Sequence, residues 1–153
     1  MAGEKGLETL QVWKKAMSFT IEIQQQILPS LPGEEKWALG AQLRRSAQSI
    51  PANIAEGYGR YYYQEGVRFC YVARGSLEET FTHISLAHEL GYISQDAFNK
   101  FNGAIQDIRR LLNGYIIFLK KSKRGENEPG TTHRIQDGSI RYFLDTASDD
   151  PDT

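Results

Sequence analysis

With 153 residues, 40% of them hydrophobic and 24% charged, the chain has material for one buried core and the make-up of an ordinary globular domain. No run approaches the roughly 18 apolar residues of a membrane span, and Met1–Lys5 lacks a signal-peptide core, so a cytoplasmic location is expected. A lone cysteine, Cys70, excludes an internal disulfide and has no CxxC partner for zinc. The net charge of −1 conceals an asymmetry: residues 1–123 hold 15 Lys/Arg against 12 Asp/Glu, and residues 124–153 hold 3 against 7.

The first amphipathic segment runs from about Leu7 to Leu28 and stops at Pro29-Ser30-Leu31-Pro32-Gly33. Its apolar residues, Trp13, Met17, Phe19, Ile21 and Ile23 among them, span an arc of roughly 200°, wider than one core face requires. The excess is expected to meet another subunit. A second segment spans about Glu34 to Glu56, with Leu39, Leu43, Ala47, Ile50 and Ile54 at helical spacing. Pro51 lies inside it, removes one helical hydrogen bond and predicts a kink. The third, about Tyr62 to Leu90, places Val67, Cys70, Arg74, Leu77, Phe81, Ile84 and His88 on one stripe, and Gly91 ends it as a C′ glycine. Ser94 can cap the fourth. There Phe98, Phe101, Ile105, Ile108, Leu112, Tyr115 and Leu119 repeat as a heptad.

Short links make sequential helices antiparallel neighbours, so the spacing predicts an all-α, antiparallel up-down-up-down four-helix bundle over residues 1–123. Gly66, Gly75, Gly103 and Gly114 fall inside helices, where each costs about 1 kcal/mol; close helix–helix approach is the expected compensation. Residues 124–153 read as a separate, acidic, mostly disordered tail. One apolar island in it, Ile135 and Ile140–Leu144, has the character of a docking segment.

The run Gln42-Leu43-Arg44-Arg45-Ser46-Ala47-Gln48-Ser49-Ile50-Pro51-Ala52-Asn53-Ile54-Ala55-Glu56-Gly57-Tyr58-Gly59-Arg60 resembles the signature of the four-helix-bundle proteins encoded in 23S rRNA intervening sequences. Leu10–Met17, Arg68–Leu77 and Leu86–Ile93 resemble further blocks of that family, in its order, and the likeness covers about residues 10–119. The family is similar in fold to the accessory variability protein of diversity-generating retroelements, which assists a reverse transcriptase. The resemblance implies a ring-shaped homopentamer and a nucleic-acid role. Tyr61-Tyr62-Tyr63 departs from the family's polar capping residues at that turn, and the tail lies beyond the resemblance.

Level arithmetic across the hairpins sets Lys14, Lys15, Arg44, Arg45, Arg74, Arg109 and Arg110 at about one height, as a cationic belt drawn from all four helices. Repeated around a symmetric oligomer, such a belt attracts phosphate without reading sequence, and RNA or DNA is the partner it implies. The competing reading pairs each cation locally or lays its stem on apolar surface. Arg74 sits on the core stripe, where a guanidinium needs hydrogen-bond partners, and reads as structural.

Pro51, Asn53, Glu56, Arg60 and Arg68 converge at the second hairpin, as a rigid interhelical lock or, less commonly, a ligand site. Tyr58, Tyr61, Tyr62 and Tyr63 flank Arg60, a pattern that stacks unpaired bases; helical neighbours diverge by 100°, which argues against one platform. No metal or cofactor is expected. Glu-x-x-His is missing, Glu79 and His83 share a face without a second pair, and no nucleophile triad or phosphate-binding glycine loop occurs. The sequence thus predicts a non-enzymatic, homo-oligomeric RNA- or nucleoprotein-binding bundle. The alternative is an adaptor, or an accessory subunit of a reverse transcriptase, with the tail holding the partner.

Overall fold

The structure, a computed structural model, describes residues 6–126; residues 127–153 of the tail, with the Ile135 and Ile140–Leu144 island, lie outside them. Four helices carry the fold: α1 (Gln11–Glu22), α2 (Leu39–Tyr58), α3 (Tyr63–Glu89) and α4 (Gln95–Ser122). Each packs on its sequence neighbours and α1 packs on α4, closing the bundle. Contacts run in opposed numbering, Thr20 with Ala47 and Gln24 with Arg44, Ser49 with Ser76 and Ser46 with Thr80, Arg74 with Asn113 and Glu78 with Arg109, so consecutive helices are antiparallel, as expected.

The ends are set locally. A 3-10 turn at Leu7–Thr9 precedes α1, because Leu10 is extended and breaks the expected helix start. α1 continues as a wider π turn, Ile23–Ile27, which keeps Ile23 and Ile27 buried before Leu28–Ser30 tightens to 3-10. α2 starts later than the spacing predicts: Gly33–Lys36 forms only a 3-10 turn, and Ala38 leaves helical geometry before Leu39. At the end of α3, Gly91 has φ +80 and its N–H reaches His88 O, while Tyr92 N–H reaches Ala87 O at 2.9 Å. That is the Schellman pattern expected of a C′ glycine. Ser94 caps α4 through Ala97 N at 3.1 Å.

The core follows the predicted stripes. Phe101, Ile105, Ile108 and Leu112 of α4 are buried against Leu43, Ile50 and Ile54 of α2 and Leu77 and Ile84 of α3. α3 also buries a second stripe, Gly66, Ala73, Thr80 and Ala87, all small and seven residues apart. Small side chains let two backbones approach. A Cβ at Gly57 would stand 2.9 Å from Gly66 O, so this glycine pair lets the α2 and α3 backbones approach closely. Gly75, Gly103 and Gly114 meet nothing within 4 Å, so close approach compensates Gly66 but not these three.

Pro51 does not end α2, which runs on to Tyr58. Proline has no N–H for the carbonyl four residues back, here that of Ala47. The carbonyl is satisfied from α1: Thr20 Oγ1 lies 3.0 Å from Ala47 O and 2.8 Å from Ala16 O, its one proton shared between them. Thr20 is buried, so no solvent is at hand to replace it.

Candidate nucleic-acid interface

The seven cations are held by different partners, and Arg74 stands off the level of Arg45. Arg45 pairs with Glu79, five residues beyond Arg74, a displacement of about 7 Å at helical rise. Across the α1–α2 contact Thr20, not Lys15, stands opposite Ala47, while on the other side the pairs Arg45–Glu79, Glu78–Arg109 and Asp107–Lys15 link neighbouring levels of α3 and α4. By partner, the cations divide into three groups.

On the α3–α4 face, Arg74 donates to Asn113 Oδ1 at 3.1 Å and lies over the Tyr71 ring, half-buried and hydrogen-bonded as its register predicts. Arg109 beside it binds Glu78 through Nε and Nη2, both at 2.8 Å. On α2, Arg44 reaches, among the described residues, the amide of Gln24 at 3.5 Å, and Arg45 is held by Gln42 and Glu79. The Arg45 hydrogen bond is the main cause that holds the Glu79 carboxyl below its ordinary 4.5. His83 Nε2, one turn on, stands 3.5 Å from the same carboxylate.

The third group lies between α1 and α4. Lys14 and Lys15 are exposed, and Asp107 serves two cations at once, Lys15 at 3.8 Å and Arg110 at 3.3 Å. One carboxylate against three positive charges leaves this level of the surface positive.

The second-hairpin residues separate into two arrangements. Glu56 pairs with Arg60 at 2.7 Å and the Arg60 guanidinium covers the Phe69 ring, which ties the end of α2 to α3. Arg68 is exposed on α3 and the Glu56 pair forms without it. Asn53 turns the other way, donating to Ser49 O at 2.7 Å. It extends a polar seam, half-buried where Ser49 Oγ meets Ser76 Oγ at 2.8 Å and buried where Thr80 Oγ1 donates to Ser46 Oγ at 2.9 Å. Nothing in the hydrophobic periodicity points to this seam, because Ser and Thr at core positions read as interruptions.

At the same end of the bundle lies a groove of about 1000 Å³. Tyr58, Tyr61, Tyr62 and Tyr63 line it together with Tyr115 and Phe118 of α4. The 100° divergence of helical neighbours does not apply to Tyr61 and Tyr62, which occupy the non-helical link before α3. Burial pushes the Tyr115 phenol up to about 12, which keeps it a protonated donor. Arg60, Arg110 and Arg124 line the groove as well, and among the described residues no carboxylate does. The backbone past α4 closes one wall: Arg124 O accepts from Tyr63 N–H at 3.0 Å, capping α3 where the expected polar side chain is missing. Sequence reasoning found the tyrosines and Arg60; Tyr115, Phe118 and Arg124 are about sixty residues away along the chain and carried no signal of the groove.

Cys70 is fully buried and desolvation pushes its thiol up to about 12, so it packs as a small apolar residue. Among the described residues, no three His, Cys, Asp or Glu side chains gather as a metal set, and no helix is long and apolar enough to cross a membrane.

No curated protein matches the chain. A crystal structure of a protein of unknown function from the S23 ribosomal protein family of Bacteroides thetaiotaomicron is similar, at 25% identity and a TM-score of 0.63, covering 69% of this chain and 97% of that one. The family model for 23S rRNA-intervening sequence proteins matches residues 8–114, across α1, α2, α3 and most of α4. With that match spanning most of a four-helix bundle, the chain belongs to the 23S rRNA-intervening sequence protein family.

Proposed function

We propose that this protein acts by binding and not by catalysis, as a homo-oligomer that holds RNA or an RNA–protein complex through its basic surface. The observation that carries the reading is the level of Lys14, Lys15 and Arg110, where, among the described residues, Asp107 is the single acid paired with either Lys15 or Arg110. An exposed surface with surplus cations gains affinity for phosphate by releasing counterions, with no base contacts required. Self-association is supported by α1, where Trp13, Met17 and Ile21 form a stripe at four-residue spacing that the bundle leaves partly uncovered, Ile21 by 47%. Symmetric copies would repeat the basic patch around the assembly.

The test is retention of a fully paired RNA duplex at low ionic strength, with salt titration. Binding should fall linearly on a log–log plot. Lys14→Gln with Lys15→Gln should lower the slope by roughly one for each lysine that neutralises a phosphate, with helicity unchanged. Absence of salt-sensitive retention overturns the reading.

A second reading, a protein-interaction adaptor or reverse-transcriptase accessory subunit, has Trp37 in its favour. That indole, 86% exposed in the α1–α2 link, is a large apolar surface of the kind partners bury. Trp37→Ala should then abolish partner capture while leaving RNA retention intact.

A further inference from the structure

The end groove has a chemistry that the basic patch alone does not use. A patch of lysines and arginines attracts any polyphosphate, paired or not. Aromatic faces add something a duplex cannot exploit, because its bases are already stacked on one another. We propose that the groove between the α2–α3 link and the C-terminal half of α4 is a stacking site for unpaired nucleotides of a nucleic-acid strand. The proposal rests on the binding reading above and names the part of the ligand that this end of the bundle takes.

Three observations converge on that occupant. The first is ring placement: Phe118 is 63% exposed on the groove wall and stacks on Tyr115 at 6.3 Å with planes 16° apart, so a flat apolar surface is already in position. Across from it, Tyr61 stands edge-on to Tyr62 at 5.3 Å, which fixes the ring before any ligand arrives. The second is charge. Arg60, Arg110 and Arg124 line the groove with no carboxylate among the described lining residues; Glu56 and Asp107, outside the lining, pair with Arg60 and Arg110, and the remaining positive balance complements a phosphate backbone and disfavours an uncharged apolar helix as the occupant. Arg124 lies 4.7 Å over the Tyr61 ring, placing a cation and a π-face side by side. The third is continuity: Arg110 belongs both to the groove and to the Asp107-centred patch with Lys15, so a strand held on that patch has a charged path into the groove. At about 1000 Å³ the opening matches the upper end of small-ligand sites, about 300–1000 Å³, and exceeds what one buried side chain needs.

The experiment uses the full chain and a uridine-flanked single-stranded RNA carrying one 2-aminopurine, with a fully paired duplex of equal length as the reference. Binding of the single strand should quench 2-aminopurine fluorescence. Phe118→Ala and Tyr61→Ala should each weaken single-strand binding roughly 5- to 150-fold, and Tyr61→Phe, which keeps the ring, should restore it. Duplex retention should be unchanged in all three variants, which also reports that they fold. Duplex binding without single-strand quenching, or quenching that survives both alanine variants, overturns the groove proposal and leaves the basic-patch reading standing. Failure of the unaltered protein to bind either ligand defeats the underlying reading itself. Loss of self-association in Phe118→Ala without any quenching by the parent protein assigns the groove to a second copy and overturns the proposal.

Discussion

Thr20→Val tests whether a hydroxyl on α1 completes the helix that Pro51 interrupts. Ala47 O has lost its helical donor to the proline ring, and Thr20 Oγ1, 3.0 Å away, takes that place inside the core. Valine keeps the branched shape but removes the proton. An unsatisfied buried acceptor costs about 1–3 kcal/mol, against which a methyl in place of a hydroxyl returns up to about 0.8 kcal/mol. With the full return, the net loss should be about 0.2–2.2 kcal/mol. The decisive comparison adds Pro51→Ala, which gives residue 51 an N–H aimed at Ala47 O. In that background Thr20→Val should cost less, with a coupling of about 1 kcal/mol. Urea unfolding followed by far-UV circular dichroism, at one fixed protein concentration and with unchanged m-value, measures all four corners of the cycle. Equal costs of Thr20→Val in the two backgrounds, to within about 0.5 kcal/mol, would refute the assignment.

Helix glycines should divide by what surrounds them. Gly57→Ala drives a Cβ to within 2.9 Å of Gly66 O and 3.0 Å of Phe69 Cβ, and should lower stability by about 1–3 kcal/mol. Gly103→Ala meets nothing and should raise it by about 0.5–1 kcal/mol, both read from thermal or urea unfolding. For Glu79, whose folded carboxyl is held below 4.5 first by the Arg45 hydrogen bond, the favourable contribution is present above that pH. It is lost as pH falls through the lowered folded value. The stability advantage of the parent over Glu79→Gln should therefore be full at neutral pH and shrink on acidification below 4.5. Both side chains are substantially exposed, so the advantage should be small, about 0.2–1 kcal/mol.

Helix number, order and the main core stripe were legible in the residues. The α4 heptad buries Phe101, Ile105, Ile108 and Leu112, and Gly91 and Ser94 stop and start the helices where their local chemistry requires. These features depend on period and on backbone conformation, which neighbouring residues determine. Axial register does not. Hairpin level arithmetic assumes that each link turns at its midpoint, whereas the Gly33–Lys36 3-10 turn and the non-helical Tyr61–Tyr62 link shift the helices past one another. A shift of five residues is enough to set Arg74 about 7 Å along α3 from the level of Arg45.

The seven cations of the expected belt, the four tyrosines around Arg60 and a proline inside a helix are properties of the chain as written. That Asp107 is shared by Lys15 and Arg110, that Thr20 serves the carbonyl Pro51 abandons, and that Phe118 and Tyr61 line one groove are properties of the packed bundle. Each joins residues from different parts of the chain, and side-chain hydrogen bonds and ring stacking are decided over about 3–7 Å. Helical periodicity places a residue on a face; only the packed register brings it within that reach of a residue on another helix.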